Sequence, residues 1–102
     1  MRIIKPKTIE AWSDMHAAAR AALRNWMAVV TAAKWKQFAD VRQTFRSADQ
    51  LKARSGRTVV VFNIAGNQFR LIAAIHFNTG VVFALRFMRH AEYDKNKWKD
   101  EL

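Results

Sequence analysis

The sequence predicts an α+β fold in which helices pack on one face of an antiparallel sheet. Residues 8–45 place apolar side chains at helical spacing, whereas residues 58–89 form β-rich runs separated by two turns. A short apolar run at residues 2–5 adds a first strand, which gives the order β-α-α-β-β-β with a sequential meander. The 102 residues suit one modest core, so we expect a single domain over residues 1–102.

The helical half begins after the first strand, which contains two isoleucines and ends at Pro6. Thr8 is expected to cap a helix over residues 9–16. A longer, alanine-rich helix is expected over residues 17–31, with a short helix or turn after it. Both present core-facing apolar stripes, at Leu23, Trp26, Met27 and Val30 and then at Trp35, Phe38, Val41 and Phe45.

The β-rich half contains three expected strands, at residues 58–64, 68–77 and 81–89. Gly66 and Asn67 fit a two-residue hairpin turn with glycine first, and residues 78–80 fit a second turn. The remaining residues, 90–99, form a polar tail with helical character, and Trp98 is available to anchor it.

The first turn determines which residues share a face of the sheet. It pairs Asn63 with Arg70 and Phe62 with Leu71, and side chains alternate between the two faces from there. The predicted core face holds Val60, Phe62, Ile64, Phe69, Leu71, Ala73, Ile75 and Phe77. The opposite face holds Val61, Asn63, Gln68, Arg70, Ile72 and His76.

The second hairpin has two plausible registers. A three-residue loop at residues 78–80 places Phe83, Leu85 and Phe87 on the core face, whereas a two-residue turn places Arg89 beside Arg70. We prefer the three-residue loop because each buried apolar side chain contributes roughly 1.5–3 kcal/mol. This register gathers polar residues at one end of the second face, in a basic concavity that could hold a phosphate: Asn63, Gln68, Arg70, Arg86 and His90. An ordinary solvated sheet face is the alternative.

The charge distribution points to a polyanionic partner. The net charge is +10, and residues 15–91 hold 12 Lys or Arg against Asp40 and Asp49, while the tail is nearly neutral. Such a basic body attracts nucleic acid through counterion release, although a solubilising surface or an acidic protein partner would also fit. We expect a cytoplasmic protein without membrane association, because the N-terminus lacks a signal-peptide core and residues 17–33 are interrupted by charge.

The residue inventory narrows the chemistry that this site can perform. Cysteine is absent, which excludes disulfides and thiolate catalysis, and the three histidines share no metal-ligand spacing, so we expect no metal and no cofactor. Metal-free RNA cleavage needs only a phosphate-holding Arg and an acid–base His, with a Tyr to stack or donate a proton. Arg70, His90 and Tyr93, three residues beyond His90, are our candidates.

Each candidate also has a structural interpretation. Arg70 could form a surface salt bridge, and His90 could cap a strand end. Tyr93 could simply anchor the tail to the sheet. Asn67 is most simply explained as a turn residue.

Three segments carry a family resemblance. The run VFNIAGNQFRLI at residues 61–72 resembles the VFNIxGNxYRLI signature of HigB-type toxins, and RHAEYDK at residues 89–95 resembles their THxEYDK ending. Residues 35–49 are similar to the family's W-x-x-F…F-x-x-A-D segment. Phe69 and Arg89 depart from the usual Tyr and Thr, which puts a hydroxyl role for the first position in doubt.

The resemblance implies a RelE/ParE-like fold and a type II toxin–antitoxin system. Such toxins cut messenger RNA, typically on the ribosome and without metal, and a helix-turn-helix antitoxin of the HigA type neutralises them. Arg70 then matches the arginine that holds the scissile phosphate, and His90 and Tyr93 match the acid–base or base-stacking pair. We expect further RNA contacts around this trio from Asn63, Asn67, Gln68, Arg86 and Lys95.

Two other classes of function fit the same chain. One is a non-catalytic toxin that poisons a protein target such as DNA gyrase, as members of the same superfamily do. The other is a plain RNA- or DNA-binding module. The His90–Tyr93 pair beside a strand arginine favours catalysis, because neither alternative needs that combination.

Overall fold

The computed structural model describes residues 1–102. Most of its helical residues lie in the first half of the chain, and most of its strands lie in the second half. The first half contains one strand and three helices: β1 (Arg2–Ile4), α1 (Pro6–Met15), α2 (Arg20–Ala32) and α3 (Phe38–Thr44). The second half contains four strands and two short helices: β2 (Asp49–Lys52), β3 (Thr58–Ile64), β4 (Phe69–His76), β5 (Val81–Arg89), α4 (His90–Asp94) and α5 (Trp98–Glu101). None of the helices combines the length and the apolar character that a membrane-spanning segment requires.

The five strands form one sheet in the order β1-β5-β4-β3-β2. Strands β3 to β5 are antiparallel neighbours, as the meander predicts, and the α+β class is confirmed. Strand β2 adds an antiparallel neighbour to β3 that the sequence did not predict. Strand β1 instead pairs parallel with β5, so the sheet is mixed. The sequence did not reveal β2, because its four residues (DQLK) lack an alternating apolar pattern and lie mostly exposed at an edge.

The start of α1 differs from the prediction that Thr8 caps it. The helix begins at Pro6, and no side chain caps its first turn. Proline suits this position because its fixed φ is already helical and its missing N–H would be unpaired there anyway. The next predicted helix divides into one 3₁₀ turn at Ala17–Ala19 followed by α2.

The main core lies between the sheet and helices α1 to α3. The Phe62 ring lies at its centre, with centroid distances of 5.4 Å to Trp26, 6.4 Å to Trp35 and 5.2 Å to Phe45. The predicted core face of the first hairpin is confirmed, since six of its residues belong to this cluster: Val60, Phe62, Ile64, Phe69, Leu71 and Ala73. Ile75 and Phe77 pack against it in a partly buried position.

The first hairpin has the predicted register, with Asn63 opposite Arg70 and Phe62 opposite Leu71. The Gln68 N–H donates to the Ala65 carbonyl at 3.3 Å, which leaves Gly66 and Asn67 at the centre of the turn. Gly66 has a φ of 66°, a conformation that glycine adopts without steric cost.

The second hairpin combines two registers because of a β-bulge in β5. Near the turn His76 lies opposite Val81, whereas beyond the irregularity Arg70 lies opposite Met88, as the preferred register predicts. The extra residue changes which side chains face the core. Phe87 reaches the core and stacks on Phe69 at 5.1 Å.

The placement of Phe83 and Leu85 on the core face was wrong. The ring centroid of Phe83 lies 5.3 Å from that of the exposed His76. Leu85 packs on the side of the sheet opposite the main core. Val82 is buried in the main core in their stead, with Ala84 packed beside it. The bulge reverses the alternation between these residues and Phe87, which a uniform register could not describe.

The second face of the sheet carries a smaller apolar cluster under the C-terminal tail. Its buried members are Val59, Val61, Ile72, Met88 and Trp98. Trp98 is only 3% exposed, so its predicted role as the anchor of the tail is confirmed. Helices therefore do not lie on one face only, because α5 contributes Trp98 to the face opposite α1 to α3.

Phe62→Ala tests the importance of the aromatic centre of the core. We expect a loss of about 3–5 kcal/mol in the free energy of unfolding, because the substitution leaves a cavity among three aromatic rings. Urea denaturation followed by circular dichroism measures it. Met15→Ala is the matched control: Met15 is 74% exposed, and its replacement is expected to change stability by less than about 0.5 kcal/mol. Equal losses in the two variants would contradict this assignment of the core.

Candidate active site

Arg70 is buried near the start of β4, where it is 7% exposed and is the only buried residue with a polar or charged side chain. Its Nη1 donates to the Phe69 carbonyl at 3.0 Å and more weakly to the Asn67 carbonyl at 3.4 Å. Its Nη2 donates to Asn67 Oδ1 at 2.6 Å and lies 3.1 Å from His90 Nδ1. The turn and the start of α4 thus hold the guanidinium in one orientation.

The charge of Arg70 has no carboxylate partner. No salt bridge in the chain involves it, so the interpretation as a surface ion pair was wrong. A guanidinium keeps its proton in proteins, and a buried charge normally has an opposite charge beside it. Neutral oxygens and an imidazole satisfy its hydrogen bonds here without neutralising the charge, so the position favours an incoming anion.

His90 connects Arg70 to a carboxylate. Its backbone N–H donates to the Gln68 carbonyl at 2.9 Å, and its Nε2 lies 3.1 Å from Asp94 Oδ2. Because arginine can only donate, Nδ1 of His90 must act as the acceptor from Arg70. The hydrogen-bond pattern therefore assigns the neutral tautomer with the proton on Nε2, which donates to Asp94.

The Tyr93 ring contacts both Arg70 and the anchor of the tail. The guanidinium carbon of Arg70 lies 5.7 Å from the ring centroid, and the Trp98 ring stacks on it at 5.4 Å with an interplanar angle of 15°. Trp98 Nε1 also donates to the Tyr93 carbonyl at 3.2 Å. The hydroxyl makes no hydrogen bond within the chain and is not among its buried unpartnered polar atoms, so it is free to meet a ligand.

The environment of Tyr93 keeps its hydroxyl protonated. Burial raises the pKa of Tyr93, and the carboxylates of Asp49 and Asp94 raise it further, while the Arg70 guanidinium opposes them. The phenol is thus a hydrogen-bond donor throughout the neutral range. Arg70 would nevertheless stabilise a transient tyrosinate, because its positive charge lowers the pKa of Tyr93.

The structure divides the five predicted RNA-contacting residues into two groups. Asn67 orients Arg70 through its side chain, and Gln68 holds the start of α4 through its carbonyl, while Asn63 is exposed opposite Arg70. Arg86 and Lys95 lie outside this group and line a neighbouring cleft. No three His, Asp or Glu side chains come together in an arrangement that could hold a metal ion.

Sequence reasoning assigned no role to two residues that shape the site, Asp94 and Asp49, and only part of the role of a third, Trp98. Asp94 was visible in principle, since it lies one helical turn after His90 and can therefore reach it. Asp49 acts on Tyr93 only because the unpredicted strand β2 brings it near, so no local signal could reveal it. Trp98 was expected as an anchor, but its stacking on Tyr93 depends on the path of the tail.

The chain matches the model of a known protein family. The model of the HigB_toxin family, described as the RelE-like toxic component of a toxin–antitoxin system, matches residues 19–96, which is more than half of the chain. The matched segment contains the whole of the Arg70, His90 and Tyr93 cluster. The search of curated proteins found no match to the sequence.

Alkaline titration tests the environment of Tyr93 directly, because the chain contains only one tyrosine. We expect the pH midpoint of the tyrosinate absorbance to lie above 10.0 in the folded protein. In denaturant the midpoint should return to about 10. Because folding raises the pKa of Tyr93, the contribution of its neutral phenol to the free energy of unfolding is complete below about pH 10. This contribution is lost as the pH rises through the pKa of the folded protein. Asp49→Asn should lower the midpoint. A folded midpoint at or below 10 would refute the assignment.

Proposed function

The chain belongs to the HigB family of RelE-like toxins of toxin–antitoxin systems, and from that membership we propose that it is a metal-independent endoribonuclease acting on messenger RNA. The observation that supports catalysis best is the buried Arg70 charge, which lacks a carboxylate and lies beside His90 and Tyr93. A scissile phosphodiester would supply the missing negative charge at the point where a base and a proton donor meet.

In this proposal Arg70 binds the scissile phosphate and stabilises the charge that develops on it. The guanidinium is already oriented by Asn67 and Phe69, so little reorganisation is needed when the phosphate arrives. Its Nη2 would exchange His90 Nδ1 for a phosphate oxygen. This exchange frees the Nδ1 lone pair next to the reacting ribose.

His90 and Tyr93 then move the protons. His90 Nδ1 takes the proton of the 2′-hydroxyl, and the 2′-oxygen attacks phosphorus while the bond to the 5′-oxygen breaks. Asp94 stabilises the imidazolium that forms, since it already accepts from Nε2. Tyr93 donates its proton to the leaving 5′-oxygen, which is far more basic than a phenolate, and later regains one from His90. The products are a 2′,3′-cyclic phosphate and a free 5′-hydroxyl.

The family membership implies an antitoxin partner, and we propose a helix-turn-helix protein of the HigA type in that role. We propose the ribosome as the place of cleavage, because the net charge of +10 suits an RNA-rich surface and a translated message offers an extended strand. Poisoning of DNA gyrase and simple RNA binding remain as outcomes that the experiments below distinguish.

Substitution of the trio tests the proposed chemistry. Arg70→Ala and His90→Ala are each expected to lower the cleavage rate by about 10²–10⁴-fold, and Tyr93→Phe by about 10²-fold, since each removes one charge or proton-transfer group. Rates are measured by primer extension on a translated message, and folding is checked by thermal melting. The control is Arg57→Ala, because Arg57 is exposed at the opposite end of β3 from Asn63.

Arg57→Ala is expected to leave cleavage unchanged. If a well-folded Arg70→Ala variant cut RNA at the normal rate, the central assignment would fail. Toxicity with intact transcripts and an induced DNA-damage response would instead indicate a gyrase poison, and stable RNA binding without cleavage would indicate a binding module.

Ribosome dependence is tested by the same primer extension with the message free or under translation. We expect cleavage stops on the translated message and few or none on the free message at equal toxin concentration, because the ribosome would orient the strand for in-line attack. Arg70→Ala is run beside each reaction to subtract background breaks. Equal cleavage of the free message would contradict the ribosome requirement and leave the nuclease assignment intact.

A further inference from the structure

A cleft of about 300 Å³ lies between β5 and the C-terminal tail, next to the catalytic cluster. Its floor includes Met88, which is paired with Arg70 in the sheet, and Trp98, which stacks on Tyr93. Its charged lining consists of three cations and two carboxylates: Arg86, Lys95, Lys97, Glu92 and Glu101. The cleft therefore adjoins the cluster of Arg70, His90 and Tyr93 through Met88 and Trp98, but it contains its own charged groups.

Arg86 uses only part of its hydrogen-bonding capacity within the chain. Its Nη1 donates to the Leu85 carbonyl at 2.8 Å, and its Nε lies 3.3 Å from Glu101 Oε2. Its Nη2 makes no hydrogen bond with the chain. The side chains of Arg86 and Glu101 are 41% and 61% exposed, so solvent screens the pair and an incoming anion can displace it. Lys95 and Lys97 form no ion pair at all.

The Cα atoms of Arg86 and Arg70 are about as far apart as consecutive phosphates of a single-stranded RNA. Arg70 lies opposite Met88, and Arg86 is two residues before Met88 on the same side of β5. Such diagonal neighbours on one face of an antiparallel sheet have Cα atoms about 7–8 Å apart. Neighbouring phosphates in a single-stranded chain are separated by a distance of the same order.

We propose that this cleft is a second phosphate subsite, which takes the phosphodiester next to the scissile one and which Glu101 occupies in the free protein. The proposal rests on the proposed nuclease function and adds a substrate position to it. Arg86 binds the phosphate through Nη2 and, once Glu101 leaves, through Nε, while Lys95 and Lys97 add long-range attraction. Glu101 acts as a carboxylate that RNA must displace.

The tail offers a matched control for the carboxylate. Asp100 forms a pair of the same kind with Arg54 at 3.2 Å, but neither residue lines the cleft. Glu101→Gln and Asp100→Asn each remove one negative charge from α5 and leave the size of the side chain almost unchanged. A general effect of charge on RNA binding must therefore appear equally in both, whereas competition within the cleft appears only in Glu101→Gln.

The experiment measures binding of a short 2′-O-methyl RNA, which lacks the nucleophilic hydroxyl, by fluorescence anisotropy at several salt concentrations. Glu101→Gln is expected to tighten binding about two- to fivefold, the factor that corresponds to loss of an exposed ion pair. Arg86→Gln is expected to weaken binding and to reduce the salt slope by about 1. In cleavage assays Arg86→Gln should raise KM and leave kcat nearly unchanged.

The double variant Arg86→Gln/Glu101→Gln decides the mechanism. We expect it to bind like Arg86→Gln alone, since Glu101 competes only for Arg86. The subsite is overturned if Glu101→Gln and Asp100→Asn change affinity equally, or if Arg86→Gln binds RNA as tightly as the unmodified protein. These outcomes are separable from failure of the proposed function, which is read from cleavage by Arg70→Ala and does not depend on Arg86.

Discussion

The buried positive charge of Arg70 is the constraint on which the site depends. A guanidinium at 7% exposure keeps its proton, and Arg70 forms no salt bridge, so neutral groups must accept from its donors. The turn between β3 and β4 supplies them through Asn67 and Phe69, and His90 supplies a third. The Arg70 guanidinium therefore joins the turn to the junction of β5 and α4 through hydrogen bonds. Tyr93 contacts the same guanidinium.

The β-bulge in β5 reconciles two demands on that strand. Near the second turn Val82 must fill the main core, and at the other end Phe87 must reach the same core to stack on Phe69. An uninterrupted strand would send these two side chains to opposite faces, because they are five residues apart. The extra residue restores the alternation and leaves Arg86 and Met88 on the face of Arg70. The geometry of the core thus places the charged residues of the site.

The C-terminal tail packs on the sheet through an apolar anchor and contains His90 and Tyr93, two of the proposed catalytic residues. Trp98 is almost fully buried among Val59, Val61, Ile72 and Met88, whereas the ion pairs at Asp100 and Glu101 are exposed and contribute little. Trp98 also stacks on Tyr93, so the anchor supports the residue that contacts Arg70. The proposed displacement of Glu101 by a competing anion would break only an exposed ion pair and leave the buried anchor unchanged.

The sequence by itself determined the α+β class, the register of the first hairpin and the face shared by Arg70 and His90, because alternation and turn residues are local signals. It also indicated Trp98 as the anchor, and the motifs around Arg70 and Tyr93 pointed to the family that the comparison confirms. Only the tertiary structure decided the bulge, the edge strand with Asp49, the parallel pairing of β1 and the path of the tail. These features depend on packing and electrostatic interactions between segments that are distant in sequence, and no run of neighbouring residues carries a signal for them. For the same reason, it took the folded chain to show that Arg70 is buried without a counter-ion.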